Sequence, residues 1–413
     1  MKLSKYLLAI VPILSVIAFA SERAFAQDQT LRVQRYFDVV IPFATGKNGY
    51  EELVMASDAL YLVPDRNERI ADFHATLTVK RETLSLPAVQ KAFDLLTIGL
   101  SKPISSPRSE INENTTFPEF AGFRQLARLL ACKMYVELAD GNVSTAINTL
   151  RQGLAFGYAV QQDGLIGGLV GVAIDAILLK RFSVAVDQMG LKDCTLLMNL
   201  AKDWINLPDP SIHIYESERD MELAILRKHR NNPHDLVRAL MSPTANDDTD
   251  AEQAALTQQL LSDPQAARSE VDGAIQILMN RFNELISELK KPNWQRKQIK
   301  PMEDKTVAGK LASTFSISLG SLISDKFAQD QAMVQLLGVQ AAIRKYRWEN
   351  DKLPDSLATL KLGDFGIDPF TGKELIYKQI DDRNFELSSI GPNERDDEGH
   401  ETGKRRQLML KPN

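Results

Sequence analysis

Apolar residues recur at steps of three and four through most of the chain from about residue 48 to 350, the spacing of a helix with one buried face. Over 120–139, Phe123, Ala127, Leu130, Met134 and Leu138 draw such a stripe, and Leu126 and Leu129 widen it. Asp140-Gly141-Asn142 ends the run, with glycine suited to a left-handed cap. Val143, Ala146, Ile147, Leu150 and Leu154 open the next stripe. Two helices joined by so short a turn pack as an antiparallel hairpin. Residues 164–179 are apolar on every side, which predicts a central buried helix. Gly167, Gly168 and Gly171 leave part of its surface bare for a close neighbour.

Further helices are predicted near 194–206, 211–230, 251–261 and 265–290. Leu207-Pro208-Asp209-Pro210 is a breaker, and 292–306 reads as an irregular connector before a long helical stretch over 307–350. The pattern changes after Leu353-Pro354. Asp368-Pro369-Phe370-Thr371-Gly372-Lys373 is a turn, Leu375-Ile376-Tyr377 a short strand, and Asp381 to Asn384 a second turn. Phe385 to Ile390 alternates as a strand does. The fold class is therefore mainly α: an α-solenoid-like antiparallel helix array with a small C-terminal module of helix plus β-hairpin. Expected boundaries are 1–26, 27–291 for the helical domain, 292–306 for the connector, 307–399 for the long helix with its hairpin, and 400–413 for a polar, loose tail.

The first 26 residues have the layout of a secretory signal peptide. Lys2 and Lys5 precede an apolar run from Tyr6 to Ala20, and Ser21-Glu22-Arg23 leads to Ala24-Phe25-Ala26. The run is shorter than the ~20 residues a membrane-spanning helix needs. Export to the periplasm or beyond follows as the expectation, with no transmembrane span after cleavage. The 413 residues hold 49 Lys and Arg against 54 Asp and Glu, a formal charge of -5, so a general nucleic-acid partner is not expected. Of the two cysteines, Cys132 and Cys194, export allows a disulfide, although buried thiols fit the same positions.

Two resemblances bear on the picture. The 120–154 hairpin is similar to one tetratricopeptide unit at its Gly141-Asn142-Val143 turn and at Ala146-Ile147 and Leu150, with no second copy at a 34-residue period. Residues 341–399 resemble the globular part of major type II secretion pseudopilins in RKYRWENDKLPDSL, DPFTGKELIY and FELSSIGPNERDDEG. The body, in NGYEELVMASDAL, FPEFAGFRQLARLL and LVGVAIDAILL, is similar to an uncharacterised family of exported bacterial proteins. The basic leader, processing glycine and following glutamate of a pseudopilin are missing, so this segment reads as a borrowed module. The pseudopilin resemblance implies a calcium ion in the loop after the last strand, held by Asp396 and Asp397 with Glu398. A solvated acidic loop is the plainer alternative.

Asp175 is the one charge between Asp163 and Lys180. A buried carboxylate without a partner is costly or becomes neutral, so a partner is expected, with Arg124 or Arg128 as candidates. Read structurally it is half of a buried pair; read functionally it lines a pocket. His229 and His234 flank Pro233 and read as surface residues, and the motifs of zinc peptidases, serine hydrolases and phosphate loops are missing. Lys290, Lys291, Arg296, Lys297 and Lys300 around Trp294 form a local basic stretch, in the plainer view a solvated connector. No catalytic residue can be assigned. The first expectation is an exported scaffold or interaction protein whose partner belongs to the envelope or a secretion system. The alternatives are an extracytoplasmic hydrolase with an acid-lined cleft and a calcium-stabilised module.

Overall fold

The structure, a computed structural model, describes residues 36–71, 75–108, 115–230, 264–297, 304, 306–315, 320–392 and 408–409. The leader at 1–26, the helix expected at 251–261, His234 and the acids Asp396, Asp397 and Glu398 lie outside the described residues. The described chain is mainly helical with a small antiparallel sheet. It divides into two compact units, residues 1–107 with 116–129 and residues 108–115 with 130–413. The border falls inside one helix, and the 292–306 connector lies within the second unit.

In the first unit the helices are α1 (Phe37–Val40), α2 (Gly49–Ala59), α3 (Arg66–Ala71), α4 (Leu77–Ser85) and α5 (Pro87–Leu100), with the first half of α6 (Glu119–Ala139). Asn48 caps α2 by accepting from the Tyr50 N–H, and Thr76 caps α4 by accepting from that of Val79. Leu53, Val54 and Ala59 of α2 and Val89 and Leu96 of α5 are fully buried, and these two helices pack together. Tyr50 donates to Glu119 at 2.9 Å and stacks edge-on against Phe123.

The second unit continues from α6 through Gly141, which takes φ +75°, into α7 (Val143–Gln161). The expected hairpin is closed by Thr149, whose hydroxyl donates back to Glu137 at 2.8 Å. Next come α8 (Gly164–Phe182), α9 (Leu191–Ile205), α10 (Pro210–His229), α11 (Pro264–Leu289), α12 (Val307–Phe315) and α13 (Gly320–Asn350). α7 packs on α8, α9 on α13, and α11 on both α10 and α12. The apolar faces of α10, α11, α12 and α13 meet in a core that includes Ile214, Leu226, Leu278, Phe282, Leu311 and Phe327. The long stretch over 307–350 is thus two helices.

α8 is not buried all round. Ile166 and Leu169 are 38% and 41% exposed, whereas the opposite side is sealed, because glycines there let α7 come close. A Cβ on Gly171 would stand 2.5 Å from the Gly157 carbonyl oxygen, so only glycine permits the contact. No helix of the described residues is long and apolar enough to cross a membrane.

The C-terminal sheet runs β1 (Ile376–Gln379), β2 (Phe385–Ser389) and β3 (Leu408–Met409), all antiparallel. Ile376 faces Ser388 and Gln379 faces Phe385 across the hairpin. Of the tail expected at 400–413 only Leu408 and Met409 are described; they pair with Ser389 and Ser388 along the free edge of β2, and the other tail residues lie outside the described residues. The sheet lies on α13, as a two-stranded hairpin needs in order to persist in water. His229 is also corrected. It is 8% exposed, on the buried side of the last turn of α10.

Candidate functional site

The Leu207-Pro208-Asp209-Pro210 breaker organises the site. Pro210 takes the first position of α10, where a missing N–H costs nothing, and the Asp209 carboxylate accepts from the Ser211 N–H at 2.9 Å. Its other oxygen holds Arg296 at 2.7 Å. Arg296 also donates to the carbonyls of Leu289 and Lys291, both at 2.9 Å, at the frayed end of α11. One guanidinium therefore ties the end of α11 to the start of α10. Two members of the basic stretch around Trp294 are thus engaged, Arg296 with Asp209 and Lys291 with Glu288 at 2.5 Å, and Lys300 lies outside the described residues.

Between these elements, α7 and α13, opens a cleft of about 300 Å³, the lower end of the range for ligand sites. Tyr158, Trp204 and Trp294 give it aromatic walls, and Pro208, Pro292 and Pro369 stiffen its rim. Trp294 is held by Gly372, which takes φ +68° and leaves no Cβ to strike the indole. Tyr158 donates to the Pro208 carbonyl at 3.1 Å, and burial, with Asp209 nearby, pushes its phenol pKa up. Two groups on the cleft lack partners. Asn293 is 6% exposed, and neither its amide nitrogen nor its oxygen is hydrogen-bonded. The Trp204 indole N–H is buried and unpaired as well.

Behind Gln161, which lines the cleft, lies Asp175. It is fully buried, as its setting on α8 predicts, but the arginine partner is not what meets it. Its carboxyl faces that of Asp330 on α13, within hydrogen-bonding reach, and Gln161 donates to both, at 3.1 Å and 3.5 Å. Asp330 is 4% exposed. Two ionised carboxylates only accept, so a proton must sit between them. Burial, and then Asp330, raises the pKa of Asp175 well above the carboxylate range, and burial raises Asp330 too. One Asp175 oxygen has no partner and points at Gly157, where an added Cβ would come within 2.0 Å of it.

More acids line the interior of this unit. Glu218 of α10 accepts from the Leu165 N–H in the first turn of α8 at 3.2 Å, and burial raises its pKa. Glu222, one turn further on, is raised to about 8 by burial and by Glu218. Among the described residues no group of three or more His, Cys, Asp or Glu side chains is placed to hold a metal. Cys132 and Cys194 are not joined in the disulfide that export allows. Cys194 is buried on α9, where burial outweighs the nearby Arg344 and pushes its thiol up to about 11.

Sequence reasoning reached Asp175 and missed Asp330, Gln161, Asn293 and Trp204. Asp330 lies in a polar-looking start to α13, SDKFAQDQ, with nothing to separate it from its exposed neighbours. Asn293 stands in Pro-Asn-Trp-Gln, which reads as an ordinary turn. Compared with protein families, with curated proteins and with solved structures, the chain matches none.

Proposed function

We propose that this chain is an exported helical interaction protein of the bacterial envelope, with the cleft of its second unit as the recognition site. The observation that carries the reading is Asn293. A buried amide with both hydrogen-bonding atoms unpaired costs several kcal/mol, a cost a ligand removes. The rigid setting supports the same reading, because prolines, the Asp209–Arg296 pair and Gly372 hold the walls without a ligand. The leader and the pseudopilin-like segment support export and an envelope partner.

The test is a photocrosslinking side chain at Leu207, a cleft residue that is 41% exposed. In producing cells it should give one discrete adduct, lost when Asn293→Ala is added. The same smear as from Trp348, an exposed control position on α13, would overturn the reading.

A second reading, the extracytoplasmic hydrolase, is favoured by the Asp175–Asp330 pair. It requires Gln161 to move aside, since that amide, not a carboxyl, forms the cleft wall. The third, a calcium-stabilised module at Asp396, Asp397 and Glu398, rests on the resemblance. A melting temperature that rises with calcium and falls again with chelator supports it, and an unchanged one removes it.

A further inference from the structure

Taking the cleft as a recognition site, we propose that its ligand is a neutral stretch of extended polypeptide backbone, with both the N–H and the C=O of one residue held by Asn293. Asn293, on the cleft wall, carries a donor and an acceptor side by side on its amide, each without a partner and each closed off from water, so that a rotation of this one side chain is needed to offer them to a ligand. Its complement must carry an acceptor next to a donor. An extended residue offers exactly that edge, for in an antiparallel ladder paired residues exchange both bonds across one side. Asn293 can therefore replace one residue of a neighbouring strand. The Trp204 indole N–H, a donor only, asks for one further acceptor, and another backbone carbonyl supplies it.

Charge points the same way. The charged side chains on the cleft are Asp209 and Arg296, and they are bonded to each other at 2.7 Å. The remaining Arg296 bonds go to the carbonyls of Leu289 and Lys291. Among the described residues lining the cleft no free cation is left for a carboxylate or phosphate and no free carboxylate for an ammonium group, so binding a charged ligand there would leave its charge desolvated and unpaired. The walls also suit a backbone. Proline cannot donate a hydrogen bond and does not compete for the peptide's carbonyls, while the Trp294 ring gives side chains an apolar surface. A purine ring also offers neighbouring donor and acceptor atoms to an asparagine and stacks on indole. It normally arrives with phosphate, for which the described residues of the cleft offer no free cation.

The experiment pans a phage-displayed library of random heptapeptides over the immobilised full chain, with the Asn293→Ala chain as counter-target. The winning peptide is made synthetically and its binding followed by fluorescence anisotropy. A series with one backbone nitrogen methylated at a time then reads the backbone directly. We expect one methylated position, and separately Asn293→Ala and Trp204→Phe, to weaken binding by about tenfold each, while circular dichroism melts of the free variants do not fall, since each substitution also removes an unpaired buried group. Should Asn293→Ala fail to fold, Trp204→Phe and the methylation series still decide. The proposal is overturned if no sequence is enriched, if no methylated position changes affinity by more than about twofold, or if adenosine displaces the peptide and binds in its own right. A discrete Leu207 adduct with a flat methylation series would leave the cleft in use and sink only the backbone reading; loss of both would sink the function as well.

Discussion

At the scale of single residues, the second unit is shaped by what its glycines leave out. Gly157 faces the unpaired oxygen of Asp175, and a methyl group there would come within 2.0 Å of it. The carboxyl cannot retreat, because Asp330 and Gln161 occupy its other side. Gly157→Ala should therefore destabilise the protein by about 1–3 kcal/mol, the usual cost of overpacking, measurable by urea denaturation. Alanine is otherwise the better helix former, so a more stable variant would show that the acid pair is free to shift. The thiols make a second case. Cys194 is fully buried with its pKa near 11, whereas Cys132 is only half-buried. Iodoacetamide at pH 8 should label Cys132 in the folded protein and Cys194 only on unfolding. Non-reducing peptide mass mapping should find no Cys132–Cys194 bridge.

At the scale of elements, Asp368 shows what a sequence motif conceals. The Asp-Pro turn and the strand ending in Ser-Ser-Ile-Gly were each legible as local structure. The tie between them was not, because it joins residues 21 and 22 positions apart. Asp368 is 1% exposed, and its carboxylate accepts from the Ser389 hydroxyl at 3.0 Å, the Ile390 N–H at 2.8 Å and the Phe370 N–H at 2.9 Å. One buried side chain thus fixes the turn to the end of β2. Asp368→Ala would strand two backbone N–H groups and a fully buried hydroxyl. A loss of about 3 kcal/mol is expected in chemical denaturation, and a loss under about 1 kcal/mol would mean that water replaces the carboxylate. The helices were readable for the opposite reason. Their stripes, the Gly141 turn and the Pro210 start are local signals, and they place α6, α7, α10 and α11 to within a few residues. Asn293 and Asp330 became candidates only through burial. Burial depends on which helix lies opposite, and no spacing within one segment records it.

At the scale of the whole molecule, the buried acids set how stability responds to pH. Asp175, Asp330, Glu137, Glu218 and Glu222 are all raised, with burial the largest cause in each, and Glu222 reaches about 8. A carboxyl with a raised pKa keeps its proton in the folded chain after the unfolded chain has released it near pH 4. Between those two values the folded state binds more protons, so stability falls as pH rises, and the fall ends once the folded group has ionised. Groups with lowered values act the other way, below pH 4. Glu51 is one: burial works against it, but the N–H groups of Thr45 and Gly46 bond its carboxylate and win. From pH 5 to 8 the raised acids therefore dominate, and the melting temperature should drop across that window. The slope can reach about 1.4 kcal/mol per pH unit for each group still titrating. Asp330→Asn discriminates between sources, because its amide can donate to an ionised Asp175 where two carboxyls need a shared proton. The variant should melt with a flatter pH profile and gain most at pH 8. An equally steep profile would assign the slope to Glu222 and its neighbours on α10, and a rising one would contradict the burial of the pair.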